Sequence, residues 1–138
     1  MQTPDTYEAT GPSISPIDFK SGVVSIFLQK AINGRDLIIY GDGGQSRDFI
    51  HVQDVTHFLV AAMDRAAASA PVVNVCTGRS TSVVELAQMV VERYGGRIVH
   101  EPGRPGDFRR SLGSPDSAAR QLGISAEVPF RAGLATLP

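Results

Sequence analysis

The arginines are the residues of this sequence whose type and spacing point most directly to chemistry. Arg47 follows a glycine turn, and Asp107 lies in a later loop among further cations. The cations on the later loops are Arg79, Arg104, Arg109 and Arg110. Planar guanidinium groups on two converging loops match the paired oxygens of a diphosphate, and a carboxylate can accept hydrogen bonds from sugar hydroxyls. The pattern therefore indicates an anion site, although Arg47 could instead simply pair with Asp48 or Asp54.

Short strands must position these side chains. Residues 37–40 predict a buried strand that runs into the glycine turn Gly41-Asp42-Gly43-Gly44. Residues 49–52 predict a second extended piece, and residues 72–76 and 97–100 predict two further strands. In an open sheet of parallel strands, loops at the carboxyl ends lie together. We therefore expect the loops 41–48, 77–81 and 102–110 to converge on one site.

Helices separate the strands. Val23, Ile26, Phe27 and Ala31 have helical spacing, and Asn33-Gly34 provides a stop. An amphipathic helix is predicted from Asp54, acting as its cap, to about residue 68, with its apolar face at Val55, Phe58, Leu59, Ala62 and Met63. Ser82 and Glu85 form a capping box for the next helix, which Gly95-Gly96 ends. A helix capped by Ser114, with Pro115 at its first position, and a last turn from Phe130 complete the order.

Composition limits the class of protein. The 138 residues are 42% apolar and 20% charged with a net charge of -1, enough for one domain with a core. This balance gives no general affinity for nucleic acid or membranes. One cysteine, Cys76, cannot form an internal disulfide, and the cytoplasm is the expected compartment. The element order predicts an α/β (α+β) fold: a small, mainly parallel sheet with packed helices in a single domain, residues 22–138, after an extended arm or linker, residues 1–21.

Other motifs give weaker indications. The glycine turn fits neither the dinucleotide fingerprint nor a lysine-bearing phosphate loop. His51, His57 and His100 have no metal-ligand spacing with Cys76, so no metal site is predicted. Tyr40 could stack on a base or could only cover the sheet edge.

The order of these motifs resembles a known family. Ile39-Tyr40-Gly41-Asp42-Gly43, Arg47-Asp48-Phe49-Ile50-His51-Val52 and Asp54-Val55 resemble the signature of the extended short-chain dehydrogenases that act on nucleotide sugars. These are NAD-dependent epimerases and dehydratases of the UDP-glucose 4-epimerase kind. Asn74-Val75-Cys76-Thr77-Gly78, with Cys76 where a glycine is common, and Arg104-Pro105-Gly106-Asp107 are similar to two later blocks of that family. The match runs from Gly11-Pro12 onward.

The resemblance implies a role for each matching position. In the family this segment is the carboxyl-terminal, substrate-binding lobe. Arg47 and Arg104 would hold the diphosphate and Asp107 the ribose. The strand edge from Ile38 to Tyr40 would contact the base, and the backbone amides at Gly22 and Val23, at a helix start, would contact a phosphate.

The departures from the family are as informative as the matches. The glycine-rich dinucleotide-binding lobe and the Tyr-x-x-x-Lys pair are absent from these 138 residues, and Glu8-Ala9-Thr10 replaces the usual linking segment. Full-length members bind NAD, but we expect no cofactor on this chain and no catalysis by it alone. The expected function is an isolated nucleotide-sugar-binding domain, as a homodimer or with a separately encoded Rossmann lobe. The alternatives are a ligandless self-associating module and a fragment of an intact enzyme; Met1 and the unmatched arm slightly favour a natural short protein.

Overall fold

A computed structural model describes residues 22–66 and 69–138 of the chain. The predicted arm, residues 1–21, lies outside this range. Five helices are described: α1 (Val23–Ile32), α2 (Val52–Asp64), α3 (Val83–Tyr94), α4 (Asp116–Leu122) and α5 (Phe130–Ala135). Five short strands accompany them: β1 (Leu37–Tyr40), β2 (Ser46–Arg47), β3 (Thr81–Ser82), β4 (Ile98–Glu101) and β5 (Arg110–Ser111). The α/β fold class with a single domain is confirmed.

The strands form two small sheets. β1 pairs with β4 in parallel, with Leu37 opposite Ile98. β2 lies between β3, to which it is antiparallel, and β5, to which it is parallel. Two of the three predicted strands, β1 and β4, are confirmed, and the structure shows that they are neighbours. The predicted strand at residues 72–76 is wrong, because this extended segment pairs with no strand among the described residues.

The core lies between β1, α1 and α3. Buried apolar side chains from these three elements form one cluster, to which α5 adds Leu134. Its members are Phe27, Leu28, Ala31, Leu37, Ile39, Val83, Leu86, Ala87, Val90 and Leu134. Alternation along β1 sends Leu37 and Ile39 into this cluster and leaves Ile38 and Tyr40 on the other face. Helices α1 and α3 therefore pack against one face of β1 and hold it rigid, and the opposite face is open to a ligand.

Helix α3 begins as the sequence predicts. The Ser82 hydroxyl accepts a hydrogen bond from the Glu85 amide at 3.2 Å, and the Glu85 carboxylate accepts one from the Ser82 amide at 2.8 Å. The Ser82 amide and hydroxyl both donate hydrogen bonds to the Glu85 carboxylate, and these lower the pKa of Glu85 below its ordinary value. Helix α1 ends at Asn33, and Gly34 with φ +66° allows the turn into β1.

Helix α2 differs from its prediction in three respects. It begins at Val52 and ends at Asp64, and its cap is His51, whose Nδ1 accepts a hydrogen bond from the Gln53 amide at 3.2 Å. Asp54 does not cap this helix. Its buried carboxylate instead accepts hydrogen bonds from the Glu127 and Val128 amides, both at 3.0 Å, so it anchors the segment before α5. The predicted extended piece at 49–52 is confirmed at His51, whose backbone is extended, but it pairs in no sheet of the described residues, and residue 52 is already helical.

The apolar face predicted for α2 is mostly exposed. Phe58 is buried, but Leu59 and Met63 are 61% and 77% exposed. Val72, in the unpaired segment that follows, is 92% exposed. α2 contacts few elements, mainly α4, so nothing among the described residues covers the rest of this face.

Helix α4 is shifted by one residue from its prediction. Pro115 occupies the cap position instead of the first helical position, and its own side chain makes no capping hydrogen bond. The Ser114 hydroxyl, one residue earlier, accepts a hydrogen bond from the Asp116 amide at 3.4 Å. Gly123 ends the helix in the left-handed conformation.

Candidate functional site

One large cavity opens on the free face of β1. Its volume is about 790 Å³, and it lies between α1, β1, β2 and the loop after β4. All seven residues predicted from the sequence to bind substrate line it: Gly22, Val23, Ile38, Tyr40, Arg47, Arg104 and Asp107. The structure thus brings together residues that are up to 85 positions apart in the sequence.

Arg47 is held at the wall of the cavity by backbone carbonyls. Its guanidinium donates hydrogen bonds to the carbonyl oxygens of Ser46 and Phe108, both at 2.8 Å, and its side chain remains 30% exposed. The Asp107 carboxylate is 3.9 Å from the same guanidinium and is more exposed than the arginine. These contacts fix the guanidinium in orientation while one edge still faces the cavity, as oriented binding of an anion requires.

The alternative partners of Arg47 are both occupied elsewhere. The Asp48 carboxylate accepts hydrogen bonds from the Thr77 amide at 3.1 Å, from the Gly78 amide at 2.8 Å and from the Thr77 hydroxyl. Asp54 holds the segment before α5. Since side chains alternate along an extended backbone, Arg47 and Asp48 point in different directions. Simple pairing of Arg47 with either carboxylate is therefore not observed.

Arg104 lies flat on Tyr40. The central carbon of its guanidinium is 3.5 Å from the centre of the Tyr40 ring, which is a cation–π contact. One face of the Tyr40 ring therefore carries an arginine and is closed to a base. Tyr40 therefore holds a cation at the cavity, close to the end of β1.

Helix α1 contributes its amino-terminal end. Gly22 is the cap and has no side chain, and no side chain of the described residues caps the helix. The first amides of a helix lack intrahelical acceptors and carry the positive end of its dipole. Gly22 and Val23 both line the cavity, so these donors face the same space as Arg47 and Arg104.

Three loop arginines considered in the sequence analysis do not line this cavity. Arg109 forms a bidentate pair with Asp42, with both N–O distances at 2.7 Å. Together with the Gly44 amide, this guanidinium holds the pKa of the Asp42 carboxyl well below its usual range. Arg110 lies in β5, and Arg79 borders a separate small cavity beside Thr77 and Glu127. The loop 77–81 therefore braces the site through Asp48 and does not supply a cation to it.

Sequence reasoning missed seven residues of the cavity wall, among them Gln45, Lys30 and Phe49. Gln45 donates a hydrogen bond from Nε2 to the Tyr40 carbonyl oxygen at 3.1 Å, and Lys30 and Phe49 line the cavity. A signal for Lys30 existed: it follows Val23 by seven and Ile26 by four residues and so shares their helix face.

The glycine turn after β1 does not fit a nicotinamide dinucleotide. The glycine turn after β1 would be its natural cradle, but a Cβ at Gly43 would lie 2.9 Å from Cβ of Val84, so α3 packs directly against the turn. The Gly44 amide donates to Asp42, which Arg109 also occupies. The turn thus has no open anion cradle. In residues 22–66 and 69–138 no group of histidine, cysteine, aspartate and glutamate side chains could hold a metal ion, and no described helix is long and apolar enough to cross a membrane.

Comparison with known proteins identifies the family. The chain is 36% identical over 118 residues to the UDP-glucose 4-epimerase of Mycolicibacterium smegmatis, covering 84% of this chain and 37% of that protein. It superposes on the UDP-glucose 4-epimerase of Thermotoga maritima with UDP-glucose at a TM-score of 0.75 and 35% identity, covering 82% of this chain and 37% of that one. MoeE5 in complex with UDP-glucuronic acid and NAD gives 0.76 and 34%, covering 84% and 40%.

The chain spans between a third and two fifths of the length of these relatives. A family description also matches residues 6–76, about half of the sequence. The chain belongs to the NAD dependent epimerase/dehydratase family.

Proposed function

We propose that this chain is a nucleotide-sugar-binding domain that does not catalyse a reaction alone. A diphosphate would lie between Arg47, Arg104 and the first amides of α1, with Asp107 at the ribose and the base along Ile38. The observation that carries the proposal is that these residues line one cavity of about 790 Å³, with its cations held in place by Tyr40 and by backbone carbonyls. Two family members with UDP-sugars bound share this fold, which supports the ligand class.

The absence of catalysis follows from the chemistry that this chain would have to supply. Hydride transfer in the family depends on NAD, and the glycine turn here is packed against α3. No Tyr-x-x-x-Lys occurs in the 138 residues. The polar side chains of the cavity are three cations, the Asp107 carboxylate, the Gln45 amide and the Tyr40 hydroxyl. Without a hydride acceptor, we expect these groups to bind and orient the sugar but leave it unchanged.

Calorimetry with UDP and dTDP tests the binding. We expect weak but measurable heats at millimolar ligand, because an open cavity retains competing water. Replacing both Arg47 and Arg104 by methionine should abolish the heat. Arg120→Met, an exposed position in α4, is the matched control and should leave it unchanged. Absence of heat with the natural chain, or unchanged heat with the double variant, would show that the proposal is wrong.

A second candidate function is a self-associating module. The exposed apolar residues of α2 and of the unpaired segment 71–76 favour it: Val52, Leu59, Val60, Met63, Val72 and Val75. Exposed apolar side chains of this number often pack against another surface, either a second copy or a separately encoded Rossmann lobe. Light scattering should then find a dimer that Leu59→Asp with Met63→Asp converts to a monomer. A monomer of the natural chain at every concentration would exclude the homodimer.

A further inference from the structure

Lys30 lies at the opposite end of α1 from the amides proposed to hold phosphate. It is half-buried and lines the 790 Å³ cavity together with Ile26 and Val23. Seven residues separate Val23 from Lys30, so the helix rises by about 10 Å between them. One helix face thus presents phosphate-binding amides at its start and an ammonium group two turns later.

The chain direction puts Lys30 beside the start of β1. The Arg35 amide donates a hydrogen bond to the Lys30 carbonyl oxygen at 2.8 Å, and Leu37 begins the strand two residues later. Arg104 and Tyr40 mark the other end of the same strand. The cavity therefore has a polarity: Gly22, Tyr40, Arg104 and Arg47 surround one end, and Lys30 and Ile38 lie at the other.

Lys30 forms no ion pair within residues 22–66 and 69–138. The pKa of the nearby Asp36 carboxyl lies below its ordinary value, chiefly because of its hydrogen bonds from Arg97 and to a smaller extent because of the Lys30 charge. Both carboxylate oxygens of Asp36 accept hydrogen bonds from Arg97, at 3.2 and 2.7 Å. The Asp36 charge is thereby compensated from outside the cavity, and none of the described carboxylates occupies the donors of Lys30.

In an extended nucleotide the diphosphate, ribose and base follow one another. A ligand with its phosphates at the arginine end, as the proposed function requires, places its base at Ile38 and Lys30. The base edge farthest from the ribose carries a carbonyl in uracil, thymine and guanine but an amino group in cytosine and adenine. An ammonium group donates hydrogen bonds and accepts none.

We propose that Lys30 selects nucleotides whose base has a carbonyl on its far edge, and so makes the domain specific for uracil, thymine or guanine against cytosine or adenine. This inference rests on the proposed function. A charge-assisted hydrogen bond gained by one base and an unpaired donor left by the other should separate the two by about tenfold or more.

UDP and CDP are the sharpest probes, because the two bases have nearly the same size and differ at this edge. Calorimetry on the 138-residue chain should find UDP bound at least about tenfold more tightly than CDP. Lys30→Met should remove this preference by weakening UDP and not CDP, and Lys30→Arg should retain it. Arg35→Met removes an exposed cation near the same turn and should change neither affinity, which controls for long-range charge.

Each other result has a definite meaning. If Lys30→Met lowers the affinities for UDP and CDP equally, Lys30 contacts the phosphates. If it lowers the affinity for UDP-glucose alone, Lys30 contacts the sugar. Both results overturn the inference and leave the proposed function intact. Equal affinity of the natural chain for UDP and CDP overturns it as well. If the natural chain binds neither nucleotide, the proposed function and this inference fail together. Circular dichroism of Lys30→Met verifies that the variant is folded.

Discussion

Arg104 and Tyr40 meet face to face, with 3.5 Å between the guanidinium carbon and the ring centre. A long arginine side chain on an exposed loop would otherwise lose considerable rotamer freedom when it binds an anion. The ring pre-orders the cation at the cavity and so reduces that loss on binding. The contact links a residue that ends β1 to a loop 64 positions later in the sequence.

Removal of the Tyr40 ring should weaken nucleotide binding. Exposed cation–π contacts contribute about 0.5–1 kcal/mol, so Tyr40→Ala should lower the affinity for UDP roughly two- to fivefold. Tyr40→Phe keeps the ring face and should bind like the natural chain. Calorimetry checks both variants. An equal loss in Tyr40→Phe would mean that the hydroxyl, not the stack, matters.

Asp48 should be a stability residue rather than a binding residue. Its carboxylate accepts three hydrogen bonds from Thr77 and Gly78, and its loss leaves these partly buried donors unpaired. We expect Asp48→Ala to lower the free energy of unfolding by about 3 kcal/mol, measured by urea denaturation. Asp64→Ala, at an exposed position near the end of α2, should change it little. If Asp48→Ala is no less stable than Asp64→Ala, the bracing role assigned to the loop 77–81 is wrong.

The pair of Asp42 and Arg109 should make stability depend on pH. The hydrogen bonds from Arg109 and Gly44 depress the folded-state pKa of Asp42 below its ordinary value of 3.8. The stabilisation is therefore complete above that value and disappears as the pH falls through the lower folded-state pKa. Asp42→Asn should be less stable than the natural chain at pH 7, and the difference should shrink at pH values below about 4. Urea titrations at both pH values measure this, and a constant difference would contradict it.

Gly113 and Cys76 should show energetic coupling. A Cβ at Gly113 would lie 2.6 Å from Sγ and 2.8 Å from Cβ of Cys76, so Gly113→Ala overpacks a buried contact and should cost about 1–3 kcal/mol. Cys76→Gly removes both atoms and should restore much of the stability of Gly113→Ala in a double-mutant cycle. Additive effects of the two changes would show that the clash is relieved in another way. The same burial raises the pKa of the Cys76 thiol, consistent with a packing role.

Local signals in the sequence predicted local structure well. The capping box at Ser82 and the turn at Asn33-Gly34 both occur as expected, because each depends on residues within a few positions of one another. Asp54 shows the limit of such signals. Its position favoured a helix cap, but its carboxylate accepts hydrogen bonds from amides more than seventy residues later.

The wrong strand at residues 72–76 has a similar physical reason. Its β-branched side chains favour extended backbone, but a strand also needs a neighbour, and none of the described residues provides one. The convergence of two loops was easier to predict than the sheet because it needs only the order of strands, and β1 with β4 sufficed. Loop position alone did not distinguish the arginines that line the cavity, and only the family resemblance singled out Arg47 and Arg104. Arg109 instead has its own carboxylate partner.

Ser82 belongs to two structures at once. It is paired with Ser46 in the small sheet that carries Arg47, and it caps α3. The Val83 and Val84 amides donate to the Gln45 and Gly43 carbonyl oxygens, at 2.9 and 3.1 Å, so the first turn of α3 is tied to the turn before Arg47. Movement of Arg47 would therefore open hydrogen bonds at the start of a core helix. Amide hydrogen exchange in that first turn thus becomes a sensitive reporter of whether the anion site is occupied.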